Sequence, residues 1–566
     1  GGSGMIQANR GPVLASDERL AQLLAWVAAG LLIVFLVWPL AEILVKALQA
    51  PDGQFAGIRN LRAVLTEPRL RDAAWNSLAI ASATTALVVP CALGFAYALT
   101  QSRIPGKALF KLLALSPLLT PSLMPAISLV YLFGHQGLLK SWMQGHSIYG
   151  PIGIMLGEGF YTFPYAILVL LTALGVADAR LYEAAEVLGA SRFRRFLTVT
   201  VPNIRYGLIS ACLIVFTLVI TDFGVPIVVG GQTNVLALEA YKQVLGQQNF
   251  QKGAAIGLIL LLPAVLSFGV ERWLARGRTG AISGSSKAFS AKPGHLRDGL
   301  LFWLCALVSV FLLAMTGTAI AASFMKLWPY NLHPTLAHYD FANMDGGGWL
   351  AFRNSLKLGA LTALVGCAMV FGCAYLVEKT PAPRSVSAVI QSMALLPMAV
   401  PGLVLGLGYV FCFNRPGNPL HRIYGTLAIL VVSTVMHFYT TAHLTVMTSL
   451  RQIDGEVEAV ARSLKRSWWT TCRRVTLPIA LPALLDVARF LFVSAMTTVS
   501  CVIFLYTPDT VLASVAVLNM DDAGDTASAA AMATLIVASS FAVTLVFYGA
   551  GWLLNRRAQA WRRSAA

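Results

Sequence analysis

Charge is scarce in this sequence. Only 12% of its 566 residues are Asp, Glu, Lys or Arg, about half the share of a soluble domain, and 57% are hydrophobic. That balance excludes a water-soluble globular protein and leaves an integral membrane protein in a lipid bilayer. The eight cysteines include no C-x-x-C pair and no flanking His cluster, which argues against a disulfide framework or a zinc site. No G-x4-G-K-[ST] occurs, so the chain has no P-loop for nucleotide phosphates. No carboxylate pair or Ser-His-Asp grouping stands at a useful spacing, so no catalytic residue is assigned and no resident cofactor or metal is expected. The formal charge of +17 is dispersed among hydrophobic runs. With no basic stripe or aromatic RNA-binding motif, no nucleic-acid partner is expected.

What is present is length and greasiness in blocks. A spanning helix needs about 20 mostly apolar residues, and twelve candidates are predicted. The first six run at 21–48, 76–100, 109–133, 150–175, 203–230 and 253–274. The second six run at 299–323, 354–377, 386–412, 424–449, 480–505 and 527–554. Gly1 to Gly4 (GGSG) read as a cloning scar ahead of Met5, and the first apolar run is expected to stay as a helix. Residues 5–274 form the first half and 299–566 the second. The segment 275–298, rich in Gly, Ser and basic residues, is a flexible linker. An N-terminus in the cytosol places about 28 of the 42 Lys and Arg residues on that side. Both termini and the linker are then cytosolic.

The halves repeat. "NSLAIA" at Asn76 matches "NSLKLG" at Asn354. Pro117 and Pro121 match Pro397 and Pro401. Pro202 and Pro478 lie 276 residues apart, as do Asp178 and Asp454. Two parallel six-helix repeats of this kind are one way to build a transporter. Ahead of each of these prolines lies a short charged stretch, Tyr182 to Pro202 and Glu456 to Pro478. The first is expected to be a short helix, a bend at Gly189, then a new span with Pro202 in its first turn.

Glu183, Ala184, Ala185, Gly189 and Val199-x-Val201-Pro202 resemble the EAA-x3-G-x9-I-x-L-P loop of ABC importer permeases. The resemblance implies an all-α, polytopic, MetI-like type I permease of the bacterial inner membrane, not itself an enzyme. It further implies two copies of a cytosolic ABC ATPase, which carry ATP and Mg, and an extracytoplasmic substrate-binding protein. Glu183 to Gly189 would belong to a coupling helix docking on the ATPase. In the second copy Ala459 stands in the Glu slot and Lys465 in the Gly slot. Ala461 keeps the last Ala, and Glu458 lies one place early, so two unequal couplings are expected. The run VVGGQTN (228–234) is superficially similar to the ATPase signature LSGGQ. With no P-loop upstream it is read as chance. Segments 217–231, 241–254, 436–445 and 495–533 resemble fused permeases assigned to 2-aminoethylphosphonate uptake. Fused ferric-iron permeases are the nearest alternative. An ion-gradient-driven secondary transporter is the alternative of another class, and the duplicated loop argues against it.

Ionisable residues inside spans are costly and mark candidate function. Asp222, in "VITDFGVP", faces the hydroxyl-rich Thr497, Thr498 and Ser500 of the other half. An acid there would meet an ammonium, and hydroxyls a phosphonate; the plainer reading is a helix cap. Glu158 and His437 are further candidates for the substrate path. Asp486 and Arg489, at i,i+3 on one helix, are expected to pair and to bear on a gate. Asp521, Asp522 and Asp525 read as a surface for the binding protein or as a plain polar loop.

Overall fold

The computed structural model describes residues 12–276, 287–342 and 348–564. The proposed scar and the middle of the linker, 277–286, lie outside them. Among the described residues nine helices are long and apolar enough to cross a membrane, and twelve if each of three bent pairs counts as one span. The only strands among the described residues form a short antiparallel hairpin, Met325–Leu327 with Asn331–Pro334.

The bends are the main departure from twelve straight rods. Lys107–Leu119 meets Leu123–Phe133 at 103°, and Arg384–Ala399 meets Gly402–Phe413 at 114°. Both breaks fall at the repeated proline pair. The residue before the second proline is extended in each case, Thr120 at φ −106°, ψ 145° and Val400 at φ −117°, ψ 111°. Proline's ring disfavours the helical region for its predecessor, and its nitrogen has no proton for the helix ladder. A third pair, Leu427–His437 with Tyr439–Arg451, bends by 59° at Phe438.

The chain divides into two compact units that do not follow its midpoint. One comprises the chain through Ile43, Arg353–Thr510 and the stretch from Ala538. In it the first helix packs on second-half residues: Tyr409 donates to the Phe35 carbonyl at 2.7 Å, and Gly408 lies so close to Pro39 that a Cβ would fall 2.9 Å from its carbonyl oxygen. The other unit comprises Leu44–Phe352 and Val511–Val537. Here helix His295–Ser323 packs on first-half residues, with Phe302 edge-on to Phe110 at 5.6 Å and Gly94 making room for Leu304. The halves have thus exchanged their first helices.

The repeated Asn-Ser near the start of each long span has a structural task. Asn76 donates to the Asn234 carbonyl and Asn354 to the Asp509 carbonyl, both at 3.0 Å, pinning an irregular segment that carries polar backbone.

Candidate functional site: two charged loops

The first loop is built from caps. Asp178 accepts from the Arg180 backbone N at 3.1 Å and starts helix Ala179–Val187. Its carboxyl is held down to about 2 by the Arg180 guanidinium. At the other end Gly189 turns left-handed, φ 77°. Gly189 N donates to Glu186 O at 2.9 Å and Ala190 N to Ala185 O at 3.0 Å, the paired closure of a Schellman cap. Ser191 then caps helix Arg192–Arg195. A π-helical turn, Phe196–Thr200, leads into helix Val201–Thr221, with Pro202 in its first turn.

The second loop repeats this 276 residues on. Asp454 accepts from Glu456 N at 3.0 Å. Lys465 N donates to Arg462 O at 3.0 Å and Arg466 N to Ala461 O at 2.9 Å. Ser467 caps Trp468–Thr471, and the π turn recurs at Cys472–Thr476. Lys465 adopts φ 53°, the left-handed conformation of Gly189, so the backbone survives loss of the glycine. A Cβ at Gly189 would meet no atom within 4 Å; the residue is there for its φ, not for space.

Inward, the loops differ. Tyr182 is buried, with its hydroxyl 2.7 Å from Thr200 Oγ1 and accepting from Gln101 Nε2 at 2.9 Å. Glu458 stands 276 residues after Tyr182, and Lys379 ends its long helix as Gln101 does. There the contact is ionic: Lys379 Nζ lies 3.5 Å from Glu458 Oε1, with side chains 6% and 15% exposed. Lys379 also donates to Ile453 O at 2.9 Å. Glu458 therefore points into the protein and takes the place of Tyr182, not of Glu183.

Outward, the loops agree. Leu188 and Phe193 are 85% and 71% exposed, and Leu464 and Trp469, each 276 residues further, are 67% and 57% exposed. Glu183, Ala184 and Ala459 lie on the exposed face; Ala185 and Ala461 are half-buried and supply cap carbonyls. Glu183 is ion-paired with Lys287 at 2.9 Å. The sequence signal for these apolar pairs is the 276-residue offset, which carries Leu188 to Leu464 and Phe193 to Trp469.

Within the spans, Glu158 is fully buried and neither carboxylate oxygen has a hydrogen-bond partner among the described residues. It lies within electrostatic reach of Asp222. Asp222 ends one helix and accepts from Val225 N at 3.0 Å, capping Gly224–Val229. In the other unit Thr498 ends its helix with the same extended break, its hydroxyl 3.3 Å from Cys501 Sγ. Ser500 and His437 meet at Gly402, where a Cβ would lie 2.6 Å from Ser500 Oγ and 3.0 Å from the imidazole. Thr497 turns back onto Val493 O of its own helix. The structure thus brings Glu158 to Asp222 and His437 to Ser500. Asp486 and Arg489 pair at 2.8 Å.

Residues 89–280 and 367–558 each match the family of binding-protein-dependent transport system inner membrane components. The chain belongs to this family. The two matches cover more than half of the chain and correspond to its two repeats. The ferric transport system permease protein FbpB of Actinobacillus pleuropneumoniae is 26% identical over 534 residues, 91% of this chain and 76% of that protein. The thiamine transport system permease protein ThiP of Brucella melitensis is 25% identical over 419 residues, 72% and 74% of the two chains. The molybdenum transport system permease protein ModB of Escherichia coli is 27% identical over 221 residues, 38% of this chain but 96% of its own length. The last match has the size of one repeat. This permease is therefore a helical, two-repeat inner-membrane component of an ABC importer, and none of these relatives' names mentions a phosphonate.

Proposed function

We propose that the chain is the transmembrane permease subunit of an ATP-driven importer, with the two charged loops as unequal docking points for two copies of a cytosolic ABC ATPase. The observation that carries this reading is the pair of loops with one backbone design and exposed apolar residues at equivalent positions. Exposed Leu, Phe and Trp on a capped, rigid turn are what an interface anchor requires. The contact beneath each loop, Gln101 to Tyr182 in one and Lys379 to Glu458 in the other, ties it to the end of a long span, so that a push on the loop reaches the membrane helices. Alternating access then follows from rocking of the helices around a fixed path. A loaded binding protein delivers cargo from outside, and both termini lie in the cytosol.

For the cargo, the ferric permease relative aligned over nine-tenths of this chain supports ferric iron, and the buried Glu158 with the half-buried Asp222 favours a cationic species in the path. A second reading, 2-aminoethylphosphonate, is supported by the resemblance of segments 217–231 and 495–533. Its ammonium would meet the same acids.

The test is uptake into proteoliposomes holding the permease, its ATPase and its binding protein, with ATP on the ATPase side. ATP-dependent accumulation of labelled ferric iron supports the full proposal. Accumulation of labelled 2-aminoethylphosphonate instead keeps the engine and overturns the iron reading. Uptake driven by an ion gradient without ATP overturns the engine.

A further inference from the structure

The described part of the linker is not a free tether. Residues 287–294 run along one flank of the first loop. Ala179 N donates to Lys287 O at 3.0 Å, Lys287 N donates to Asp178 Oδ1 at 3.3 Å, and Asp178 bridges to Ala288 as an antiparallel pair. Lys287 pairs with Glu183 and Lys292 with Glu186, both at 2.9 Å. The Phe289 ring packs on Tyr182 with centroids 4.7 Å apart. Arg103 and Arg192 grip the carbonyls of Ala291 and Pro293 at 2.8 and 2.9 Å. At Gly294 a Cβ would lie 2.0 Å from the Arg192 guanidinium, so a side chain there would dislodge that grip. A solvated Gly/Ser tether makes no such set of contacts.

The strap covers only the flank bearing Tyr182, Glu183 and Glu186. Leu188 and Phe193 stay bare, whereas an inhibitory cover would hide them. It also neutralises the acids of that flank. Both glutamates are occupied by lysines, and Arg192, Arg194 and Arg195 lie on the same loop, so the ground around the apolar pair is basic. The second loop is held differently: Trp468 N donates to the Asp17 carboxylate at 2.8 Å. Building on the reading that an ATPase docks on the first loop, we infer that residues 287–294 form with 179–195 one composite docking surface. Its occupant is a single copy of the ATPase, whose facing rim is acidic.

The experiment measures binding of the purified ATPase subunit of this transporter to the full-length permease in nanodiscs. Lys287→Glu with Lys292→Glu is expected to weaken binding about tenfold and flatten its salt dependence. Lys287→Arg with Lys292→Arg retains affinity. Unchanged or tighter binding of the charge-reversed variant overturns the inference. Because reversal also strains the pairs with Glu183 and Glu186, cross-linking in the assembled transporter gives a second readout. Ala288→Cys or Ser290→Cys is expected to cross-link to cysteines on the ATPase rim. Failure of both while Leu188→Cys cross-links overturns the strap's role. Leu188→Asp tests the underlying loop reading separately: if it leaves binding intact, that reading fails, and the strap variants are still judged on their own results.

Discussion

The first and second loops share a backbone and an exposed apolar pair, yet they are fastened by opposite chemistry. Under the first lies a neutral chain, Gln101 to Tyr182 to Thr200. Under the second lies a lysine against a glutamate, both largely shielded from solvent. A neutral hydrogen-bonded latch loses only a modest amount when one partner goes, about 1 kcal/mol. A buried ion pair contributes little net stability when intact but is costly to break, because the surviving charge is left without a partner. The duplication kept the shape of the latch while its electrostatics diverged, which makes the second loop the more fragile of the two.

The sharpest way to break this comparison is at the latch. Lys379→Met is expected to destabilise the permease by about 3 kcal/mol and to uncouple ATP hydrolysis from transport, while Gln101→Met costs about 1 kcal/mol. The double change Lys379→Gln with Glu458→Tyr, which copies the first half, recovers most of the loss. Thermal unfolding in detergent, read beside coupled ATPase activity, decides it; equal costs for the two single variants would mean that the latches do not differ as described.

Next in size come the exposed pairs. Leu188→Asp and Leu464→Asp should each lower transport-coupled ATP hydrolysis about thirtyfold, the scale of losing a buried interface anchor near 2 kcal/mol. Neither should change unfolding of the isolated permease, since both side chains already face outward. A fall in stability instead would assign these residues to the permease's own packing.

The backbone of the two caps gives a smaller contrast. Gly189→Ala places a Cβ on a left-handed residue and is expected to cost about 1 kcal/mol. Lys465→Gly relieves the same strain but loosens the unfolded chain, leaving a gain of about 0.5 kcal/mol at most. Smallest of all is the charge at Glu183. Its pair with Lys287 is exposed on both sides, so Glu183→Gln should move unfolding by less than about 1 kcal/mol. A larger shift would mean that the strap depends on this one pair.

Much of this was legible before any coordinates. Hydropathy marked the spans, the 276-residue offset marked the repeat, and the Gly189–Pro202 spacing placed a bend before a new helix where the bend and helix stand. The proline pairs were visible as a repeat, but the bends of more than 100° at Thr120 and Val400 were not drawn from them. Glu458 was placed beside the missing Glu slot by nearness in sequence. The 276-residue offset pairs it with Tyr182 instead, and one residue along a helix turns a side chain by about 100°, enough to move it from the exposed face to the inner one.

The sequence by itself determined that this is a duplicated membrane permease with two charged loops, because apolar length, residue spacing and repeat offset are properties of the chain alone. Tertiary structure decided the rest. It set which helices the halves exchange, that Glu158 lies buried near Asp222, that Lys379 meets Glu458, and that the linker straps the first loop. Each of these joins residues tens to hundreds of positions apart, and no local rule of period or propensity couples side chains over such distances. Only the packed chain, in which buried polar groups must find partners, fixes who meets whom.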